Sequence, residues 1–329
     1  MVIFSYVVLL IVVLMSIAFF TLLERKVLGY IHLRKGPNKT GFLGVFQPFS
    51  DVIKLFGKEM NMMKFMNVFL YLFVPVLSLV LMLLFWVLFV WKTNQIEMEY
   101  GLLYFLCISS LGVYVILGGG WASNSKYALL GSFRGLAQVI SYEVSLAVIL
   151  MSVVYLMSSY NLLKLVGFQE EYWMIWGMVS LFLMWLISCL AETNRSPFDL
   201  SEGESELVSG FNIEYGGYGF AFLFMSEYGN IIFMSMVSSL MFFGSAGTMG
   251  INMLFMMYLF LLVRGTLVRF RYDVLMMMAW KLILPVSITI FFFVFMLKGV
   301  YYSFIWVKIS KTFSFIFFML SKYMLMLYS

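Results

Sequence analysis

Residues 173–191, Trp-Met-Ile-Trp-Gly-Met-Val-Ser-Leu-Phe-Leu-Met-Trp-Leu-Ile-Ser-Cys-Leu-Ala, run without a single charge straight into Glu-Thr-Asn-Arg-Ser-Pro-Phe-Asp-Leu-Ser-Glu-Gly-Glu-Ser-Glu at 192–206. About twenty apolar residues suffice for a helix to cross a hydrocarbon core roughly 30 Å thick. The loop that follows holds Glu192, Asp199, Glu202, Glu204, Glu206 and Glu214 around one cation, Arg195. Acids crowded between two membrane spans repel one another, and burial would raise their pKa values into the range where protons come and go. The loop reads first as a place where protons are held and moved.

The rest of the chain has the same character. Of 329 residues, 63% are hydrophobic and 11% charged, against about 25% charged in a soluble domain. Eight apolar runs, near 2–23, 68–91, 101–121, 142–163, 173–191, 219–243, 246–264 and 275–297, predict an all-α, polytopic membrane protein with eight transmembrane helices. Residues 1–329 form a single membrane domain in this reading, with no internal repeat and no long linker. Pro285 is expected to kink the last span, which a membrane helix tolerates.

Charge placement sets the expected topology. Most Lys and Arg lie in the loops after spans one, three, five and seven, whereas Lys92 and Lys164 alone occupy the others. By the positive-inside rule the odd-numbered loops, the acidic one included, face inward and both termini face outward. The net charge of +5 therefore speaks of membrane orientation rather than nucleic acid. Residues 300–329, interrupted by Lys308, Lys311 and Lys322, are expected to form an interfacial tail on the outer side. The N-terminus has neither a basic n-region nor an Arg/Ser-rich amphipathic stretch, so no signal or transit peptide is expected. The 28 methionines and 36 phenylalanines hint at a biased genome and synthesis within an organelle.

In the first inner loop, Phe42, Val45, Phe46, Phe49, Val52, Ile53 and Phe56 recur at helical spacing, with Gln47, Ser50, Asp51, Lys54 and Lys58 opposite. This predicts an amphipathic surface helix lying in the interface. Its aromatic face could anchor in lipid or frame an opening for a lipid-like substrate.

Within the spans themselves stand Glu143, just inside the fourth, and Glu227, about eight residues into the sixth. A charge at mid-span costs about 2.5–3.5 kcal/mol on insertion scales. Asp51, Glu143, Glu192 and Glu227 all approach from the inner face and can converge there, as a proton relay or ion pathway requires. Arg264, Arg269 and Arg271 with Asp273 form a second basic cluster, suited to neutralising the acidic loop or to binding a partner. Redox chemistry finds no ligands. Cys107, Cys189 and His32 are the only cysteines and histidine, too few for a zinc, iron–sulfur or two-histidine haem site.

Four segments resemble one known family. Glu-Arg-Lys-Val-Leu-Gly-Tyr at 24–30 with Arg-Lys-Gly-Pro-Asn at 34–38 matches its first signature. Ala-Glu-Thr-Asn-Arg-Ser-Pro-Phe-Asp at 191–199, running on through 202–212, matches its second. Trp-Ala-Ser-Asn-Ser-Lys-Tyr-Ala-Leu at 121–129 and Arg-Phe-Arg-Tyr-Asp at 269–273 also fit. The family is subunit 1 of mitochondrial NADH:ubiquinone oxidoreductase, respiratory complex I. The resemblance implies a multi-pass subunit of the inner mitochondrial membrane with its termini on the intermembrane-space side. It implies a proton-translocating NADH:ubiquinone reductase in which this chain has no redox centre. Ubiquinone is the substrate, FMN and iron–sulfur clusters sit in partner subunits, and phospholipid and other complex I subunits are the neighbours.

By the same resemblance, Arg25, Arg34, Val52, Phe56, Arg134, Phe224, Met225 and Arg264 would line the quinone tunnel or its acidic loops. Asp51, Glu143, Glu192, Asp199, Glu202, Glu204, Glu206, Glu214 and Glu227 would make up the proton and coupling path. Val268 stands where the family commonly has proline, and the tail after Gly299 is longer than usual. Two rivals stay open: the membrane subunit of a related energy-converting hydrogenase, and a stand-alone ion channel or transporter.

Overall fold

A computed structural model describes residues 2–62, 64–89, 98–169, 173–201, 203, 210–212, 214–244 and 248–299. Among them there is no strand, and eleven helices carry the fold. Seven of these are long and apolar enough to cross a membrane, against eight apolar runs expected, and the remaining run ends in a shorter apolar helix, Val179–Glu192. The seven are α1 (Val2–Ile31), α3 (Val68–Phe85), α4 (Gly101–Ser123), α5 (Lys126–Met157), α9 (Gly217–Phe242), α10 (Met249–Thr266) and α11 (Tyr272–Gly299). Shorter helices are α2 (Gln47–Phe56), α6 (Leu162–Phe168), α7 (Met174–Gly177) and α8 (Val179–Glu192). The expected tail, 300–329, lies outside the described residues.

Helix α9 is the hub. It packs against α1, α2, α3, α6, α7 and α10, and every residue from Ile231 to Phe242 is buried. A helix apolar on all sides has nowhere else to go. Its serines fit because each hydroxyl donates back into the helix, as Ser235 does to Ile232 O at 2.6 Å and Ser239 to Met236 O at 2.7 Å. Phe233 anchors the crossing with α3 and α4, its ring centroid 4.8 Å from Phe85 and 5.9 Å from Phe105.

Several helices differ from their expected bounds, and α1 runs on to Ile31, past its expected end near 23. The helix carrying Glu143 begins at Lys126 rather than near 142. Lys126 and Arg134 do not stop it, since Ser125 caps it by accepting from Ala128 N and long cations at a helix end reach water along their stems. The run 173–191 is not one helix: Met178 (φ −140°, ψ 55°) separates α7 from α8. The 14 residues of α8 extend only about 21 Å. Buried Gln169 fixes the break, its Oε1 accepting from Met174 N and its Nε2 donating to Leu240 O and Met241 O of α9. In α11 a π-helical stretch, Met278–Ile283, lies just before Pro285. Proline has no N–H to give and its ring crowds the preceding turn, so the ladder widens there.

The predicted amphipathic helix is present as α2, preceded by a 3-10 turn at Phe42–Gly44. It lies across α1 and α9, with Phe49 edge-on to Phe19 at 6.0 Å and Phe56 edge-on to Phe222 at 5.9 Å. Phe42, Phe46 and Ile53 stay exposed.

The loop after α8 packs on a glycine face of α5. A Cβ added at Gly131 would stand 3.0 Å from both Ser201 O and Gly210 Cα, and one at Gly135 would stand 2.9 Å from Ser201 Cβ. Backbone cannot yield as a side-chain tip can. Gly131→Val should lower stability by about 1–3 kcal/mol through overpacking. Gly250→Ala, where a Cβ meets nothing within 4 Å, should be neutral or slightly stabilising. Thermal melting of the assembled protein checks the contrast.

Candidate functional site: a carboxylate cavity joined to an aromatic helix face

The C-terminal end of α8 and the middle of α9 meet around a cavity of about 100 Å³. Glu192, Thr193 and Asn194 line it from the α8 side, and Ser226, Glu227 and Asn230 from α9. Ser78 of α3 and Ser109 of α4 add hydroxyls among Leu81, Phe85 and Phe233. The space has room for a few water molecules, and polar groups are there to hold them. Glu192 Oε2, Asn194 Oδ1 and Asn230 Oδ1 are buried with no hydrogen-bond partner in the protein, the kind of atom that ordered water satisfies.

Glu143 belongs to the same cluster although it does not line the cavity. It is the eighteenth residue of α5, well along the helix rather than at its start. There it sits beside Ser109 and within electrostatic reach of Glu192. Five residues earlier, fully buried Gln138 donates to Ala191 O at 2.9 Å and to Phe198 O at 2.7 Å. One side chain thus ties the end of α8 and the loop beyond it to α5.

The loop turns back and delivers Arg195 to α9. Arg195 Nη2 is 3.2 Å from Glu227 Oε2, with side-chain exposures of 9% and 20%. Its guanidinium lies 4.4 Å from the Tyr228 ring centroid and 5.8 Å from that of Phe224. Phe220, Phe224 and Tyr228, spaced four apart, form an aromatic ladder along that face of α9 with centroids 4.2 and 6.4 Å apart. Phe20 of α1 closes on Tyr228 at 5.8 Å. The aromatic face therefore ends on a cation whose other side pairs with an acid of the cavity.

The remaining anticipated residues divide clearly. Glu24, 4% exposed, pairs with Arg264 across α1 and α10. Asp199 pairs with Arg269 at 3.0 Å, and stacking of Phe198 on Phe270 at 5.6 Å holds that join. Val268 is exposed beside it. Asp51 meets Arg25 at 2.5 Å, half-exposed, and accepts from Gln47 Nε2 at 2.9 Å, so it stays on the surface helix and does not reach the cavity. Arg25 also lies within electrostatic reach of Tyr228. Arg34 is exposed in the turn after α1, and Arg134 lies 6.0 Å from the Tyr272 ring centroid. Phe56 faces α9 through Phe222 and Val52 is half-buried on α2, whereas Phe224 turns to Arg195 and Met225 packs on the core. Glu202, Glu204 and Glu206 lie outside the described residues. Buried Glu214 is anchored through its backbone, where Tyr71 OH donates to Glu214 O at 2.7 Å. Tyr71 stacks on Tyr215 at 4.5 Å. Burial pushes the Tyr215 phenol well up, with Tyr71 adding to the effect; it stays protonated at neutral pH.

The family model described as NADH dehydrogenase matches residues 4–296. The chain belongs to the NADH dehydrogenase family. It is 53% identical over 308 residues to "NADH-ubiquinone oxidoreductase chain 1" of Locusta migratoria, covering 93% of this chain and 98% of that one. The protein of the same name from Rhipicephalus sanguineus is 52% identical over 287 residues, 87% of this chain and 92% of the relative. That of Sminthopsis macroura is 46% identical over 288 residues, 84% and 91%. Among the described residues of this family member, no group of three or more His, Cys, Asp or Glu could hold a metal ion.

Sequence reading missed Glu24 and Arg195 as site residues, and missed Asn230. Asn230 had a signal, since i+3 on a helix shares the face of Glu227. Arg195 had none that named its partner, which is 32 positions away in sequence. Removing that cation strands an acid in a low-dielectric site. Arg195→Met should destabilise by about 3 kcal/mol or more, and adding Glu227→Gln should recover part of the loss. Arg25→Met, whose pair is half-exposed, should change stability by less than about 1 kcal/mol. A thermal double-mutant cycle on the assembled protein measures all three.

Proposed function

We propose that this chain is the chain 1 membrane subunit of a proton-pumping NADH:ubiquinone oxidoreductase in the mitochondrial inner membrane. In this reading it forms the membrane-side wall of the ubiquinone tunnel and starts the carboxylate path for protons. The observation that supports it most is the junction at Arg195, where an aromatic helix face suited to a quinone and a carboxylate-lined cavity share one guanidinium. Two cysteines and one histidine make no iron–sulfur ligand set. Electrons are therefore supplied by hydrophilic partner subunits carrying FMN and iron–sulfur clusters.

The chain's own residues do three things. Phe220, Phe224 and Tyr228 offer apolar ring faces to a quinone and its tail, with α2 residues Val52 and Phe56 at the mouth. Arg195 carries the electrostatic message, because a unit charge arriving about 4 Å away is worth about 4 kcal/mol at an effective dielectric of 20. That is enough to drive a proton on or off a neighbouring carboxylate. Glu227, Glu192 and Glu143 then pass protons through the cavity toward partner subunits, and Asp199 and the loop acids couple to them from the loop side. Both termini lie on the intermembrane-space side in this reading, with the acidic loop toward the matrix.

The hydrogenase rival would use a similar frame without a quinone, and the aromatic ladder together with the close relatives favours the quinone reading. Glu143→Gln, Glu192→Gln and Glu227→Gln each keep size and most hydrogen bonding while removing the titratable proton. Each should depress quinone reduction and pumping together in the assembled complex and spare electron flow from NADH to an artificial acceptor. Normal pumping in all three would sink the relay. Replacing Phe56 or Met225 by a charged residue should impair long-tailed quinones more than short-tailed ones, and equal losses in a steady-state assay would argue against the tunnel mouth.

A further inference from the structure

A second, smaller cavity of about 20 Å³ lies on the other side of Arg195. Its lining is largely apolar, from Phe20, Ile231 and Phe260, but it also includes Glu24, Arg264, Arg195 and Thr193. Thr193 lines the large carboxylate cavity as well. Its hydroxyl donates to Cys189 O at 3.0 Å, which leaves oxygen lone pairs to accept. A space of this size holds one water when two or more polar groups surround it.

We infer that one water molecule, held by the Glu24–Arg264 pair and Arg195, joins through the Thr193 hydroxyl to the cavity of Glu192 and Glu227. The Glu24–Arg264 pair of α1 and α10 thus becomes a second protonic input to the path, distinct from the aromatic face. The proton count balances at each oxygen. The Glu24 carboxylate first takes a proton from the aqueous phase and passes it to the bound water as that water passes one to Thr193 Oγ1. The Thr193 hydroxyl then turns the proton it held on Cys189 O toward Glu192 or Glu227, which accepts it. Arg195 and Arg264 stay charged throughout and orient the water. Thr193 is the link, a positioning residue by its shape and a relay by its hydroxyl.

This inference rests on the proposed membrane role, and the two can fail separately. Thr193→Val keeps the side-chain shape and deletes the hydroxyl, while Thr193→Ser keeps the hydroxyl. In the assembled complex, Thr193→Val should slow coupled quinone reduction roughly tenfold, the scale of one charge-assisted hydrogen bond. Thr193→Ser should retain the parent rate. Electron cryomicroscopy of the unmodified complex should show one ordered density between Thr193, Glu24 and Arg195, lost in Thr193→Val. An unmodified complex with no such density overturns the inference even if no variant assembles. So does Thr193→Val pumping normally while Glu192→Gln does not, which leaves the proposed function standing. Normal pumping in Glu143→Gln, Glu192→Gln and Glu227→Gln removes the function instead.

Discussion

A charge inside a membrane protein cannot stand alone, and the structure around Arg195 and Glu227 follows from that. Glu227 is the one charged residue of α9, and insertion scales put an unpaired mid-span acid about 2.5–3.5 kcal/mol uphill. The chain answers by bending the segment after α8 back into the bundle so that a guanidinium reaches it at 3.2 Å. Buried ion pairs rarely add net stability over apolar packing. What this pair provides is a charge that responds, since its strength depends on whatever approaches the far side of the guanidinium.

Holding the loop in place requires its own machinery. Gln138 pins both ends of the bend, and Arg269 draws Asp199 against the connection after α10. Gly131 and Gly135 remove two side chains from α5 so that the loop backbone can lie against it. Each device uses a helix distant in sequence. The loop is therefore a joint between α5, α8, α9 and the α10–α11 connection rather than a surface feature, and a change of charge near it is felt by several helices.

Much of this was legible. Apolar runs of spanning length gave the membrane helices, because lipid forces every backbone group to pair within its own helix. The 3.6-residue spacing of Phe42 to Phe56 gave α2. The isolated acids Glu143 and Glu227 marked the interior, since a charge there needs a reason. Other features were hidden. Lys126 and Arg134 looked like loop residues, yet α5 runs through both because long cationic stems reach water from a helix end. The 173–191 run looked continuous, yet Gln169, buried against the end of α9, divides it. Asp51 looked able to join the buried acids, but Arg25 and Gln47 keep it on α2.

The sequence by itself determined that this is a helical membrane protein with several apolar runs of spanning length, and that several carboxylates lie between or within them. Those conclusions need only hydropathy and period, which are local properties of a chain in lipid. Partner choice was decided by the tertiary structure alone. It gave Glu24 to Arg264 and Asp199 to Arg269, set Arg195 between Glu227 and an aromatic ladder, and made Thr193 the residue common to two cavities. The reason is geometric: electrostatic and hydrogen-bond energies depend on distances of a few ångströms, and helices packed side by side bring together residues that no spacing along the chain relates.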